Sequence, residues 1–336
     1  MAVLGTRGGG HGVPNIMWLA SFAWTPSATY EAYVYVIGAG GSGASAPRDV
    51  NYSVTGGGAG GCAISKLTLV SGVEYTFTCG AGGAGGGPYT SEQDGSAGGN
   101  STFSGSGIST MTGNGGSAGV KYSGAGGSGA TGGSASGGNI ANFTGGAGGS
   151  TSSTRQASGG GAVGLWATGM SGEAGYDDPY PSRGGNLNRI VAGYEGISSP
   201  RSFDQDNPAI MQPFGVDIST YTQPFDAGFY DGDSTVETGS YPKYLHAGYV
   251  DYSASAVSVQ VGQWWGKYDS NDHYSGPAGP FCGSNSLQTS YSGYQYGGRG
   301  SMGGGSGATL NDNGSASTFK AQGGEGCCMI FPITQG

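Results

Sequence analysis

Residues 33–43 read YVYVIGAGGSG, and this stretch decides the fold. Its first half is a run of β-branched and aromatic residues, which favours a strand over residues 30–37. Its second half is rich in glycine, which lacks a Cβ and lets neighbouring backbones approach closely. The junction therefore predicts a β scaffold that leads directly into packed glycine backbone.

The glycine content extends far beyond this stretch. The chain has 76 glycines in 336 residues, whereas glycine ordinarily makes up about 7% of a protein. Charged residues are only 10% of the chain and the net charge is −9, so the self-repulsion that favours disorder is weak. Two arrangements fit: glycine-rich loops, or packed polyglycine-II-type helices with three residues per turn, joined by N–H···O=C and weak Cα–H···O contacts.

Further strand patterns lie on both sides of the glycine-rich sequence. Residues 16–24 are apolar and extended in character, and residues 63–70 and 73–79 alternate with period two around Ser71-Gly72, which predicts a β-hairpin. Other strands are expected at 257–261 and 327–333, and the first and last strands should pair to close the sheet. No helical periodicity of any length occurs.

The predicted fold class is therefore mainly β, with almost no α-helix. It comprises a small antiparallel β scaffold with glycine-rich loops or packed polyglycine-II-type helices, and an aromatic-rich irregular or β insertion. Residues 1–15 form an N-terminal arm, and residues 16–175 with 297–336 form the glycine-rich β domain. Residues 176–296 form the insertion, which holds 14 of the 21 tyrosines and a net charge of −8 out of −9.

The five cysteines are an odd number, so they cannot all pair within one chain. Free cysteines usually behave as small buried hydrophobes, which is the interpretation favoured here. A Cys62–Cys79 bridge between adjacent strands is the alternative. Cys327 and Cys328 are consecutive, so on a strand they should point to opposite faces.

Short motifs for catalysis or cofactor binding lack their structural context. Residues 38–43 match the dinucleotide pattern G-x-G-x-x-G, but no helix fits the sequence that follows. Residues 115–119 match G-x-S-x-G without the strand and helix of a nucleophile elbow. Acidic clusters at 231–233, 269–272 and 311–314 complete no calcium loop and are typical of Asx turns. The sequence predicts no enzyme, no catalytic residue, no cofactor and no metal.

The charge balance also restricts the partners. The chain has 12 Lys and Arg, which are scattered rather than clustered, and this disfavours nucleic acid. No apolar run reaches 18 residues, so no membrane span is predicted. The N-terminus lacks the apolar core of a signal peptide, so we expect synthesis in the cytoplasm of the producing cell without a secretion signal.

Aromatic density in the insertion gives the candidate binding residues. Tyr and Trp provide large, rigid contact area with a polar group, and interfaces and sugar-binding surfaces use them heavily. Two interpretations stay open: receptor binding, or the core of a small β subdomain or subunit contact. The candidates are Tyr241, Tyr244, Tyr249, Tyr252, Trp264, Trp265, Tyr268, Tyr291 and Tyr294.

The order of motifs resembles a known family. A Trp24-Thr25-Pro26 turn precedes an apolar strand that ends in glycine. The strand is followed by a glycine run at 56–61, an Asn-Ser-Thr-Phe motif at 100–103 and Gly-Gly-Glu-Gly at 323–326. This arrangement resembles the glycine-rich domain of phage tail fibres and related virion proteins over residues 1–175 and 297–336. The resemblance implies a β scaffold carrying glycine-rich loops or helices.

The resemblance implies a non-enzymatic virion structural protein, a tail-fibre or fibre-tip component located in the virion with a host-surface adhesin role. Its expected partners are itself, as a homo-oligomer and a trimer in many fibres, other virion proteins, and a host-surface glycan or protein. One alternative is a purely structural protein that self-assembles through the insertion. A weaker alternative is a polysaccharide depolymerase.

Overall fold

The computed structural model of the protein describes a defined set of residues. They are 16–47, 52–89, 92–124, 126–154, 156–165, 167–175, 182, 184–185, 249–252, 255–258, 272–274, 281–284, 286–289, 294–296, 298–311 and 318–333. Within these ranges there is no α-helix, and therefore no helix long and apolar enough to cross a membrane. The described part of the chain is mainly β, as predicted.

The strands are short apart from those at the sheet centre. In chain order they are β1 (Ile16–Trp18), β2 (Phe22–Trp24), β3 (Tyr30–Ile37), β4 (Ser45–Pro47), β5 (Tyr52–Val54), β6 (Cys62–Leu69), β7 (Tyr75–Thr78), β8 (Gly86–Tyr89), β9 (Ser101–Gly105), β10 (Met111–Gly113), β11 (Lys121–Ser123), β12 (Ala135–Ser136), β13 (Ala141–Phe143), β14 (Tyr249–Tyr252), β15 (Ser255–Ser258), β16 (Asp272–Tyr274), β17 (Leu287–Thr289), β18 (Tyr294–Tyr296), β19 (Thr309–Asn311), β20 (Thr318–Lys320) and β21 (Cys327–Pro332).

Two antiparallel sheets form a sandwich. The first has the order β1-β21-β3-β6-β13 and the second has the order β12-β10-β9-β7-β2. Alternate residues of β3, among them Val34 and Val36, pack against Phe77 and Phe103 of the second sheet. Rings stack within this core, where Tyr75 and Phe103 have centroids 5.7 Å apart. The period-two pattern of β3 therefore places one face against an aromatic core.

The predicted pairing of the first and last strands is confirmed. β1 lies antiparallel to β21, with Trp18 opposite Cys328, and β21 continues the ladder onto β3. The C-terminal strand is thus inserted between the N-terminal strand and the strand that precedes the first glycine run. Both ends of the glycine-rich sequence are tied to one sheet.

The predicted hairpin of β6 and β7 is wrong. β6 pairs with β3 and β13 in the first sheet, whereas β7 pairs with β2 and β9 in the second. The Gly72 turn has φ +78 and its N–H donates to the Pro26 carbonyl, so it carries the chain across the sandwich. Leu69 and Tyr75 both belong in the shared core, and facing sheets allow both to be buried there.

The predicted single extended segment at 16–24 is also wrong. β1 belongs to the first sheet and β2 to the second, with Leu19, Ala20 and Ser21 between them. The break packs Trp18 against Trp24 with ring centroids 5.7 Å apart. Such aromatic pairs contribute about 0.5–1.5 kcal/mol beyond area burial, which favours the folded-back path.

The glycine-rich stretches that leave the sandwich run side by side, and we call them glycine segments. Segment 38–45, the central segment, shows their pattern. Its N–H groups at 38, 41 and 44 donate to carbonyls at 61, 58 and 55, whereas those at 39, 42 and 45 donate to 99, 96 and 93. Every third residue therefore bonds the same neighbour, which is the three-residue period of a polyglycine-II-type helix. Of the two predicted arrangements, packed helices are the one found.

The central segment is surrounded on all sides by others. It donates to segments that run antiparallel to it, at 55–61, 93–99 and, through Gly40, at 324. Its own carbonyls accept N–H groups from parallel segments, at 116–119 and 306–309. Buried backbone groups must find partners, and this arrangement supplies them without a sheet.

Glycine is required here by close approach. A Cβ built on Gly40 would lie 1.9 Å from the Gly304 carbonyl oxygen, and one on Gly41 would lie 2.1 Å from that of Ser117. No side chain fits at such a distance. The Cα–H groups instead face these oxygens, and such contacts contribute about 0.5–1 kcal/mol each.

Buried serines complete the hydrogen bonding where a backbone partner is out of reach. The Gly43 N–H donates to Ser306 Oγ at 2.8 Å, and the Ser306 hydroxyl donates to the Ala321 carbonyl at 2.9 Å. Ser158 likewise accepts from Gly56 and donates to Gly149. Each hydroxyl thus joins three segments at one point.

Candidate interaction surfaces

The insertion leaves and re-enters the glycine segments at adjacent points. The Gly283 N–H donates to the Gly185 carbonyl at 2.9 Å, and the Gly185 N–H donates to Gly160 at 2.7 Å. Gly185 and Phe281, the described residues that flank 186–280, therefore both lie beside the segment at 156–165.

Phe281 fixes the point of return. It has φ 62, the one positive φ at a non-glycine residue in the part of the chain that the structure describes. Its side chain is 2% exposed and packs in a cluster with Val163 and Leu165 on the second face of the first sheet. A bulky residue in this conformation costs about 1–3 kcal/mol, which the burial of its ring offsets.

Most of the predicted binding residues lie outside the described residues, namely Tyr241, Tyr244, Trp264, Trp265, Tyr268 and Tyr291. Tyr249 and Tyr252 begin and end β14, which pairs with β15 so that Tyr249 lies opposite Ser258. Tyr294 begins β18, a strand of the sheet β16-β18-β20-β8. The structure joins β18 to strands of the glycine-rich body through β20, and places the β14–β15 pair in a separate sheet.

A row of glycine segments forms one outer face of the body. The segments at 80–83, 93–99, 113–120, 127–134 and 144–150 follow one another in the chain, and each is hydrogen-bonded to the next. The segment at 168–175 extends the row, because the Gly172 N–H donates to the Ala147 carbonyl. We call the solvent side of this row the outer face.

Every third residue projects from the outer face, because the segments have three residues per turn. The other positions are glycines, buried residues such as Ala130, or half-buried residues such as Ser117, Ala147 and Glu173. The exposed positions of the segments and their ends are Ala81, Ala84, Asp94, Ala97, Asn100, Val120, Ser128, Thr131, Ser134, Thr144, Ser150, Thr168, Ser171 and Ala174. All but Asp94 are uncharged, and Val120 is the one large apolar residue among them.

Hydrogen bonds across the row hold these side chains in place. The Ser117 and Thr131 hydroxyls lie 2.7 Å apart, and the Asn114 amide donates to Ser134 Oγ at 2.9 Å. Asp94 accepts the Lys121 N–H at 2.9 Å, so the one exposed carboxylate of the row is also bonded. The outer face is therefore ordered, polar and nearly neutral.

A smaller aromatic surface lies on the first sheet, beyond the part that the segments cover. Tyr33 is 41% exposed, and Tyr35 and Phe331 pack edge to face with centroids 5.4 Å apart. Lys66 and Glu31 form an exposed ion pair beside them at 2.9 Å. Burial is the main cause that raises the pKa of Tyr35, so its hydroxyl stays protonated. Exposed ion pairs of this kind contribute little stability.

The cysteines are all free, so the alternative of a Cys62–Cys79 bridge is wrong. Cys327 packs on one face of the first sheet and Cys328 on the other, which confirms their predicted opposite orientation. Burial raises the pKa of the Cys62, Cys327 and Cys328 thiols. Because the thiolate is the reactive form, these residues act as apolar packing groups.

The motifs for catalysis and cofactor binding do not acquire their context. Residues 38–43 lead through the central segment into β4, and residues 115–119 are part of a glycine segment. Neither is followed by a helix in the described residues. Among those residues, no group of three or more His, Cys, Asp or Glu side chains is placed to hold a metal ion.

The architecture defines a class: a β-sandwich that carries close-packed glycine segments. The family model of the glycine-rich domain matches residues 19–209, which is more than half of the chain. The protein therefore belongs to the glycine-rich domain family. A search of the curated proteins finds no match to it.

Proposed function

We propose that this protein is a non-enzymatic structural component of a virion, in a phage tail fibre or fibre tip, and that its insertion contacts the host surface. The observation that carries the proposal is the combination of a close-packed glycine body with an insertion whose flanks, at Gly185 and Gly283, are hydrogen-bonded to each other. The order of motifs, which resembles that of tail-fibre proteins, supports the same assignment.

The two parts suit this role for different physical reasons. The body has its buried N–H groups paired in several directions, so it resists deformation and presents the insertion at a fixed place. The insertion carries most of the tyrosines and a net charge of −8, and rigid aromatic side chains bind proteins and sugars with a small loss of conformational entropy.

The test uses labelled, purified full-length protein and intact cells of a panel of candidate host strains. Trp264→Ala with Trp265→Ala should abolish binding and leave the thermal unfolding of the body unchanged, whereas Tyr33→Ala, an exposed aromatic of the body, should retain it. Equal binding by all three proteins would place the contact outside this Trp pair. Loss of folding in the double variant would favour the core interpretation instead.

A second variant tests residues 186–280, the part of the insertion that lies between Gly185 and Phe281. Residues 186–280 are replaced by a short loop, because Gly185 and Gly283 are already hydrogen-bonded. Binding should disappear while the remainder, which loses only the edge strand β16 of its sheet, stays folded. Release of reducing ends from host polysaccharide by the intact protein would instead support the depolymerase alternative.

A further inference from the structure

We propose that the outer face is a homotypic contact surface, on which the outer face of a second copy of this chain is seated. The inference concerns the glycine-rich body and goes beyond host contact by the insertion. It remains valid if the protein binds no host cell.

The first argument is the repeat of the surface. Ser128, Thr131 and Ser134 are exposed at successive intervals of three residues, as are Asp94, Ala97 and Asn100 on another segment of the row. Three residues at about 3.1 Å each place neighbouring projections about 9.3 Å apart. A second copy has the same repeat along its segments and the same spacing between them. Projections of one copy therefore fit the grooves of the other along these segments.

The second argument is preorganisation. Side chains of Ala, Ser and Thr lose little conformational entropy on contact, unlike those of Lys or Glu. The Ser117–Thr131 and Asn114–Ser134 bonds already fix their rotamers. Because these two exposed side chains are ordered before contact, the loss of side-chain entropy on association is smaller.

The third argument is charge. Hydroxyl groups both donate and accept hydrogen bonds, so a face of serine and threonine is complementary to itself. The net charge outside residues 176–296 is only −1 of the total −9. Two glycine-rich bodies therefore meet without the repulsion that a strongly charged face would produce.

The size of the face sets the expected strength. The six segments of the row are separated by five spacings of about 4.8 Å, so the face is roughly 24 Å wide. About seven residues per segment, at a rise of about 3.1 Å each, make it roughly 22 Å long. Two such faces bury on the order of 1,100 Å², at the lower end of specific interfaces. We therefore expect association in solution with a dissociation constant of about 10–100 μM.

The experiment measures sedimentation equilibrium of the full-length protein at concentrations up to about 200 μM, which is twice the largest dissociation constant expected. Thr131→Lys places a long charged side chain at the centre of the outer face and should weaken association at least about tenfold. Ser171→Lys, on another segment of the row, should do the same. The matched control is Thr68→Lys, at an exposed position near the end of β6 remote from the glycine segments, and it should associate like the unmodified protein.

Three outcomes would overturn the proposal. The first is an unmodified protein that stays monomeric over the whole concentration range. The second is association that neither Thr131→Lys nor Ser171→Lys weakens, which places the contact on another surface. The third is weakening by Thr68→Lys to the same extent, which shows a nonspecific effect of charge. Circular dichroism of each variant verifies that the sandwich is folded, and the two outer-face variants provide independent tests should one fail to fold.

Discussion

Substitution of Gly41 by alanine tests whether the glycine segments are close-packed. The added Cβ would lie 2.1 Å from the Ser117 carbonyl oxygen, whereas carbon and oxygen approach only to about 3.3 Å. One segment must therefore move by about 1.2 Å. Gly41 donates to Gly58 at 2.8 Å and accepts from Ser306 at 3.0 Å, and a shift of this size breaks both bonds.

The energetic cost follows from these two bonds. Each buried group left without its partner costs about 1–3 kcal/mol, and alanine recovers about 0.4–1 kcal/mol by restricting the unfolded chain. We expect Gly41→Ala to lower the free energy of unfolding by about 1–6 kcal/mol. The assay is urea unfolding followed by tryptophan fluorescence, which reports on Trp18 and Trp24 in the sandwich.

The matched control is Ala118→Ser, which also adds one heavy atom to a glycine segment but at a half-buried position. It should change the free energy of unfolding by less than about 0.5 kcal/mol. A Gly41→Ala variant as stable as this control would refute the reasoning, because neighbouring segments would then move apart without loss of hydrogen bonds.

Further predictions concern the buried hydroxyls and thiols. Ser306→Ala removes the hydroxyl that links Gly43 to Ala321, and it should lower the free energy of unfolding in urea by about 2–3 kcal/mol. The buried Oγ of Ser45 has no hydrogen-bond partner, so Ser45→Ala should leave that free energy unchanged or raise it. Burial raises the pKa of the Cys62, Cys327 and Cys328 thiols above the ordinary value of about 9, so the folded state retains protons that the unfolded state loses. The free energy of unfolding should be unaffected below pH 8 and should fall above pH 9 by up to about 1.4 kcal/mol per thiol and pH unit. Cys62→Ala should reduce this dependence of the free energy of unfolding on pH, measured at pH 8–10. Thiol reagents at pH 8 should modify the half-buried Cys79 before these three, and modification of Cys328 first would contradict the packing described.

The sequence predicts local structure well and partner choice poorly. The sequence predicts β3 and β21, because apolar residues fill both faces at one end of each strand and alternate at the other. The sequence does not predict the partner of β7. Tyr75 and Leu69 are buried in one core from opposite sheets, and the same alternating pattern would occur if their two strands formed a hairpin. The odd number of cysteines excludes complete pairing, and the structure separates Cys62, in the first sheet, from Cys79, which follows β7 in the second.

The candidate site shows the same division. Aromatic density in the insertion is visible in the sequence, but six of the nine candidates lie outside the described residues. The outer face was missed, although a signal exists: Gly-Gly-Ser at 132–134, Gly-Gly-Ala at 145–147 and Gly-Gly-Ser at 148–150 place a non-glycine residue at every third position. The point of return at Phe281 has no sequence signal, because its positive φ follows from packing alone.

The three-residue period of the central segment also constrains how its gene can change. Loss of one codon within residues 38–45 would rotate every later residue by a third of a turn, so that each N–H would face the wrong neighbour. Loss of three codons restores the orientation and only shortens the segment. We therefore expect lengths in this protein's lineage to vary in steps of nine nucleotides within the segments, and freely only in the turns that connect them.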